Sequence, residues 1–231
     1  MIILVFSKDL GSAVIFFAGY LIMVFIATKN YFYLFAGILG GAGASIVAYH
    51  MFSHVRTRVI AFLHPWSNIN DSGYQITQSL FAIGTGGWFG LGIDQGDPTS
   101  IPYVEQDFIF SAVAEEMGVI FGICLILVCV SCFIVFMKIA MQLKEDFYRY
   151  IAVGISTIYI FQVFLTIGGG TRFIPLTGVT LPLVSYGGSS VLTTIIMFGI
   201  IQGLYCIQSQ EGKRNVRKER RRTADREAGE E

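Results

Sequence analysis

The chain has 231 residues, of which 54% are hydrophobic and only 14% charged, and its mean hydropathy is +0.63. A soluble domain carries about 25% charged residues, so the composition excludes an ordinary soluble fold and points to a bilayer. The formal net charge is zero, yet eight of the sixteen Lys and Arg lie from Lys213 onward, which is a membrane-topology pattern rather than a nucleic-acid-binding one.

The opening MIILVFSKDLGS lacks the basic start and apolar length of a signal peptide, and residues 1–6 read as the end of a span whose beginning is absent. Residues 12–28 (SAVIFFAGYLIMVFIAT) predict the first full span, and a tight Lys29-Asn30 turn leads to the second, residues 31–52. Its GILGGAGAS stretch lets a neighbouring helix approach closely, because small side chains do not hold backbones apart. A polar insert, residues 56–116, follows. Inserts of that length are functional or disordered, and the two Trp and two Tyr it carries argue against disorder. Within it, residues 74–83 are apolar-periodic and predict a helix lying on or dipping into a membrane face.

The third span, residues 108–137, is long enough to cross with tilt. A charged connection, 138–149, leads to the fourth span at 150–167. The segment GGGTRFIPLTGVTLPLVSYGGSS carries Pro175, Pro182 and six glycines and predicts a re-entrant element before the fifth span at 189–207. The tail, 208–231, has almost no apolar residues and reads as a solvated helix or a disordered segment. The expected organisation is thus a membrane domain over 1–207 with a large extracellular loop at 54–107, and a charged tail. Cys124, Cys129, Cys132 and Cys206 fit no metal spacing and read as small packing residues.

With five crossings and the tail in the cytoplasm, Lys29, Lys138, Lys144, Arg149 and the eight tail residues lie inside, against Lys8, Arg56, Arg58 and Arg172 outside. Twelve against four satisfies the positive-inside rule and places both unusual loops outside the cytoplasmic membrane.

Asp107 ends the large insert immediately before an apolar run. A carboxylate there is either a general base whose pKa burial raises toward the working pH, or an N-cap of the following helix. Glu115 and Glu116 sit about 12 Å further along. Adjacent acids in an apolar run call for a polar cavity or a cation, and Arg172 on the other outside loop is the candidate partner; a structural ion pair is the plainer reading. Helical phase turns Glu115 roughly 80° from Asp107 and Glu116 about 180°, so Glu115 is the favoured companion. Gly187, Gly188, Ser189 and Ser190 open the last span. Their backbone N–H groups and hydroxyls, with Arg172, suit a phosphate, although a capped helix after a tight turn gives the same sequence. GTGGWFGLG, residues 84–92, is a similar but weaker glycine signal. Arg56 and Arg58 either bind lipid phosphates or snorkel to headgroups.

Taken together, KDLGSA (8–13), RVIAFLHPW (58–66), GYQITQSLFAIGTGGWFGLG (73–92), QDFIFSAVAEEMG (106–118) and IPLTGVTLPLVSYGGSS (174–190) resemble the shape, elongation, division and sporulation family of FtsW, RodA and SpoVE proteins, in the family's order. The resemblance implies an all-α polytopic bundle of about ten spans, of which this chain would supply the C-terminal half, with roughly the first four missing. It implies a peptidoglycan glycosyltransferase that polymerises lipid II, the undecaprenyl-pyrophosphate-linked disaccharide pentapeptide, beside a class B penicillin-binding protein. Asp107 then matches the essential acid of the large loop, with Glu115 and Glu116 in support. Arg172, the Gly187–Ser190 helix start, Arg56 and Arg58 are the candidates for holding the lipid pyrophosphate. No cofactor is identified; Asp107 and Glu105 are the candidate ligands if a divalent cation takes part. Some division-type members carry a lysine in the re-entrant loop where Thr177 stands here. Two other readings compete: a lipid II transporter using Glu115 and Glu116 as a polar path, and a non-catalytic fragment that only contacts division or elongation proteins. The special residues cluster at one end of the spans, which favours the transferase.

Overall fold

A computed structural model describes residues 9–69 and 71–227, with side-chain surroundings given up to Gln210. The expectations for residues 1–8, Lys8 included, and for the last four residues lie outside the described residues. The described residues form seven α-helices: α1 (Leu10–Thr28), α2 (Tyr31–Met51), α3 (Ser53–Leu63), α4 (Tyr74–Gly86), α5 (Ile109–Gln142), α6 (Asp146–Gly170) and α7 (Gly188–Glu227). Five are long and apolar enough to cross a membrane: α1, α2, α5, α6 and the Gly188–Gln210 part of α7. No strand occurs among the described residues. The spans follow the expected order and lie within a few residues of their expected limits. The tail, read as helix or disorder, continues α7 as helix to Glu227.

Local chemistry explains the tight connections. Lys29 closes α1 in a left-handed conformation (φ 52°), its N–H donating to the Phe25 carbonyl, and Asn30 caps α2 by accepting from the Phe32 N–H at 2.9 Å. One residue thus ends a helix and the next begins another. Asp9 caps α1 in the same way, accepting from the Ser12 N–H at 3.0 Å.

Between apolar helices in lipid, close packing rather than escape from water drives association. The central helix is α6, which packs on both α1 and α5 and buries Ala152, Gly154, Ser156 and Thr157. Phe136, Tyr159 and Phe198 join α5, α6 and α7 in an edge-on trio with centroids 4.9, 5.4 and 5.8 Å apart; such pairs contribute about 0.5–1.5 kcal/mol each beyond area burial. By contrast, α2 buries none of its residues. The helix at 74–83, expected on a membrane face, is α4. It packs against α5, burying Ile76, Thr77, Ser79 and Ala82.

The longest apolar helix, α5, is interrupted at Gly118 (φ 85°, ψ 167°). In an unbroken helix the carbonyls of Glu115 and Glu116 would accept from the N–H groups of Val119 and Ile120. Here they accept instead from Leu91 at 2.9 Å and Gly92 at 3.0 Å, while Val119 and Ile120 donate to Gly87 at 3.0 Å and Trp88 at 3.3 Å. The glycine-rich loop after α4 therefore replaces two helical hydrogen bonds with four of its own. Gly118 needs a left-handed φ, and a Cβ there would collide with the Trp88 carbonyl. Gly118→Ala is expected to lower stability by about 1–3 kcal/mol, visible as a lower midpoint in thermal unfolding of the detergent-solubilised chain. An unchanged midpoint would mean that the loop is not locked into the helix.

Candidate functional site

Two polar segments meet at the loop-bearing end of the bundle. The first is the connection between α6 and α7, which does re-enter. Thr166 donates to the Val179 carbonyl at 2.7 Å and Gln162 to that of Thr180 at 3.0 Å. Gln162 lies about 12 Å along α6 from its end, so the loop descends beside that helix and climbs back to Gly188. Its deepest part is well satisfied: the Ser185 hydroxyl accepts from the Leu181 N–H at 2.7 Å and donates to the Gln106 carbonyl at 2.5 Å. The Tyr186 N–H reaches the Glu105 carbonyl at 2.7 Å. These bonds tie the re-entrant loop to the residues immediately before Asp107.

Two arginines fasten this loop to α3 in opposite directions. Arg58 on α3 donates to the carbonyls of Thr177 at 2.9 Å and Leu176 at 3.3 Å. Arg172 on the loop donates back to Phe62 at 3.1 Å and Leu63 at 3.5 Å. A guanidinium's fork suits such paired carbonyls. Among the described residues the expected pairing of Arg172 with the acids of α5 does not form, and its Nε and Nη2 are turned to the end of α3 instead. Nor does Arg172 line the groove in which Gly187–Ser190 lie. Arg56 is exposed on another face of α3.

Asp107 stands where these segments converge. It does not cap α5: Phe108 holds the cap position, with no side-chain cap bond. Among the described residues, no hydrogen bond reaches the Asp107 carboxylate. Burial pushes its pKa above the usual carboxylate range, and the nearby Arg58 charge partly opposes that. A methyl group added at Gly178 would sit 3.5 Å from Arg58 Nη2 and 3.6 Å from Asp107 Oδ2, so this glycine (φ 75°) floors the space between carboxylate and cation. Sequence reasoning passed over Gly178; its signal was a glycine held after Pro175-Leu176-Thr177.

Glu115 and Glu116 serve a different neighbourhood. Glu115 is 7% exposed, and its Oε1 accepts from the Asp97 N–H at 3.4 Å; Glu116 Oε1 accepts from the Asp94 N–H at 3.3 Å. Each acid thus reaches the large loop through one oxygen, while Glu115 Oε2 is buried with no hydrogen-bond partner among the described residues. The expectation that Glu115 accompanies Asp107 rested on helical phase. Asp107 precedes the helix, so that phase does not extend to it, and the charge acting on Asp107 is that of Arg58.

Beside Gly178 opens a groove of about 520 Å³ between α1, α6, the re-entrant loop and α7. Gly187, Ser189 and Ser190 line it from the start of α7, facing Asp9 and Ser12 of the α1 entry and Gln106. Lower down it becomes apolar at Ile15, Phe16 and Met197. Among the described residues, no Lys or Arg lines it. Ser190 is already engaged with Thr180, hydroxyl to hydroxyl at 2.7 Å. Among the described residues no group of three or more His, Cys, Asp or Glu is gathered to hold a metal ion.

Five crossing helices, a re-entrant loop and a half-buried acid beside a polar-to-apolar groove define a multi-pass membrane protein with a site at one end of its bundle. The chain belongs to the FtsW/RodA/SpoVE family: the model of that family, described as cell cycle protein, matches residues 1–210. It is 39% identical over 200 residues to the peptidoglycan glycosyltransferase RodA of Mycobacterium tuberculosis, covering 86% of this chain and 42% of that protein. A probable peptidoglycan glycosyltransferase FtsW of Francisella salina is 39% identical over 210 residues, covering 87% and 51%. Stage V sporulation protein E of Bacillus subtilis is 32% identical over 203 residues, covering 87% and 55%. The chain thus spans about half the length of these relatives. Among solved structures, a chain described under structural coordination of polymerization and crosslinking by a peptidoglycan synthase complex matches with a TM-score of 0.73 and 25% identity, covering 90% of this chain and 58% of that one. The protein is accordingly a multi-pass bacterial membrane protein.

Proposed function

We propose that this chain carries the reaction centre of a peptidoglycan glycosyltransferase that polymerises lipid II on the outer side of the cytoplasmic membrane. The observation that carries the reading is the Asp107 carboxylate, half-buried, without a hydrogen bond among the described residues and facing Arg58 across Gly178. An acceptor sugar hydroxyl attacks the anomeric carbon of the donor. The new glycosidic bond forms as the bond to the lipid pyrophosphate breaks, and Asp107 takes the hydroxyl proton. The departing pyrophosphate gains negative charge and meets the N–H groups at the start of α7, while the Arg58 charge acts on it from beside Gly178, at the edge of the groove. The lipid tail follows the groove toward Ile15, Phe16 and Met197. Arg172 contributes by holding α3 against the loop, and Glu115 and Glu116 by holding the large loop on α5. A class B penicillin-binding protein is the proposed partner, and the excess of basic residues on the tail side supports an outward-facing site.

The test uses vesicles containing fluorescent lipid II, with this chain and with a chimera in which residues 9–210 replace the matching region of the longer Francisella salina relative. Glycan strands from the chimera that vanish on Asp107→Asn are the expected result. Movement of lipid II across the vesicle without polymer would replace the transferase by the transporter reading.

A further inference from the structure

The loop that enters the α5 break exposes a run of large apolar side chains: Trp88 (68% exposed), Phe89 (85%), Leu91 (47%) and Ile93 (73%). No charged residue occurs from Gly84 to Ile93. An apolar array of this kind marks an interaction surface, and its depth identifies the partner. Counting from Lys138, the polar limit of α5 at the other membrane face, about 20 residues span a hydrocarbon core of about 30 Å, which leads back to Gly118. A second ruler comes from α6. Ser79 donates to the Gly170 carbonyl at 2.7 Å and shares a 2.6 Å hydroxyl contact with Ser111, so Ser111 is level with the end of α6. The Gly118 break lies about 10 Å further toward the bilayer centre. Both rulers put the loop between the headgroup interface and the outer part of the hydrocarbon.

Backbone at that depth is tolerated only where its polar groups are satisfied. The broken helix does this for Gly87, Trp88, Leu91 and Gly92, and Gly90 donates to the Gly86 carbonyl at 2.8 Å. The apolar side chains also continue an existing lipid-facing strip: Trp88 is bonded through its carbonyl to Ile120, which with Phe121 and Ile123 is 45–46% exposed on α5. We propose that residues 87–93 are a membrane anchor whose partner is bilayer lipid, with Trp88 and Phe89, beside Gly118 and Ile120, just inside the interface between headgroups and hydrocarbon, and Leu91 and Ile93, beside Glu115 and Glu116, nearer the headgroups. Aromatic side chains favour that interface. The large loop is therefore not wholly aqueous. Its anchored part fixes the depth of the chain leading to Asp107, whatever reaction that residue performs.

The chain has two tryptophans, so Trp66→Phe leaves Trp88 as its sole tryptophan while keeping an aromatic ring against Phe81. In phosphatidylcholine vesicles, lipids brominated near the headgroup end of their chains are expected to quench at least half of the Trp88 emission, with aqueous acrylamide quenching little. A second probe, Phe89→Trp in a Trp66→Phe/Trp88→Phe background, is expected to respond to the same brominated lipids. Strong acrylamide quenching of both probes, with no response to brominated lipid, would overturn the anchor and make this surface a face for water or for a soluble partner.

Discussion

Asp107→Asn is expected to lower glycan polymerisation by about 10²–10⁴-fold, the usual contribution of a general base, with little effect on the apparent KM for lipid II. Asn keeps the size of Asp and loses only the proton-accepting charge. Stability gives the control, because its sign is opposite to that of a structural acid. The folded-state pKa of Asp107 is raised by burial, so the native chain binds more protons than the unfolded one between the ordinary carboxylate pKa and the raised value. Stability from this group therefore falls as pH rises through that window, and the cost is fully present above it. Asn removes the cost. Thermal unfolding of Asp107→Asn at neutral pH should match wild type or occur slightly later, whereas a residue kept for structure would unfold earlier. Activity above a tenth of wild type in the polymerisation assay would remove Asp107 from the chemistry.

The five crossings were legible because about 20 apolar residues are what a span requires and little else produces them. Asp107 was legible as a carboxylate at the border of a span and a structured loop. The break in α5 was not, since AEEMGVIF reads as one continuous apolar helix and Gly118 as a tolerated small residue. What decides it is long-range: four hydrogen bonds to a loop some 30 residues earlier, which leave no trace in local periodicity. The adjacent Glu115 and Glu116 were the available clue. Two acids in an apolar run demanded partners, and one oxygen of each meets a backbone N–H group of the loop instead of the expected Arg172. The arginines illustrate the same limit. Arg58 and Arg172 look alike in sequence as outside cations, and only their reciprocal bonds to opposite backbones separate them. Arg58 remains beside the Asp107 carboxylate, while Arg172 is committed to the end of α3.

Arg58 is expected to carry the second largest effect, in two separable parts. Its charge lowers the pKa of Asp107 against the larger, raising effect of burial; its Nη1 holds both Leu176 and Thr177 so that Gly178 floors the site. Arg58→Ala removes both and is expected to cost about 10²–10³-fold in kcat/KM, the scale of losing one preorganised donor to a developing anion. Arg58→Lys keeps a charge but cannot place one nitrogen on the two carbonyls and a second beside Gly178, so it should fall between wild type and Ala. Arg58→Gln isolates the electrostatic part. The base must be ionised to act, so activity falls as pH drops through the Asp107 pKa. With the opposing cation gone, burial acts alone, the pKa rises further, and the acid limb of the kcat/KM profile moves to higher pH. A Gln variant that loses rate with its acid limb unmoved would show that Arg58 acts only on the leaving group and the loop, and that the Asp107 carboxylate is tuned by burial alone.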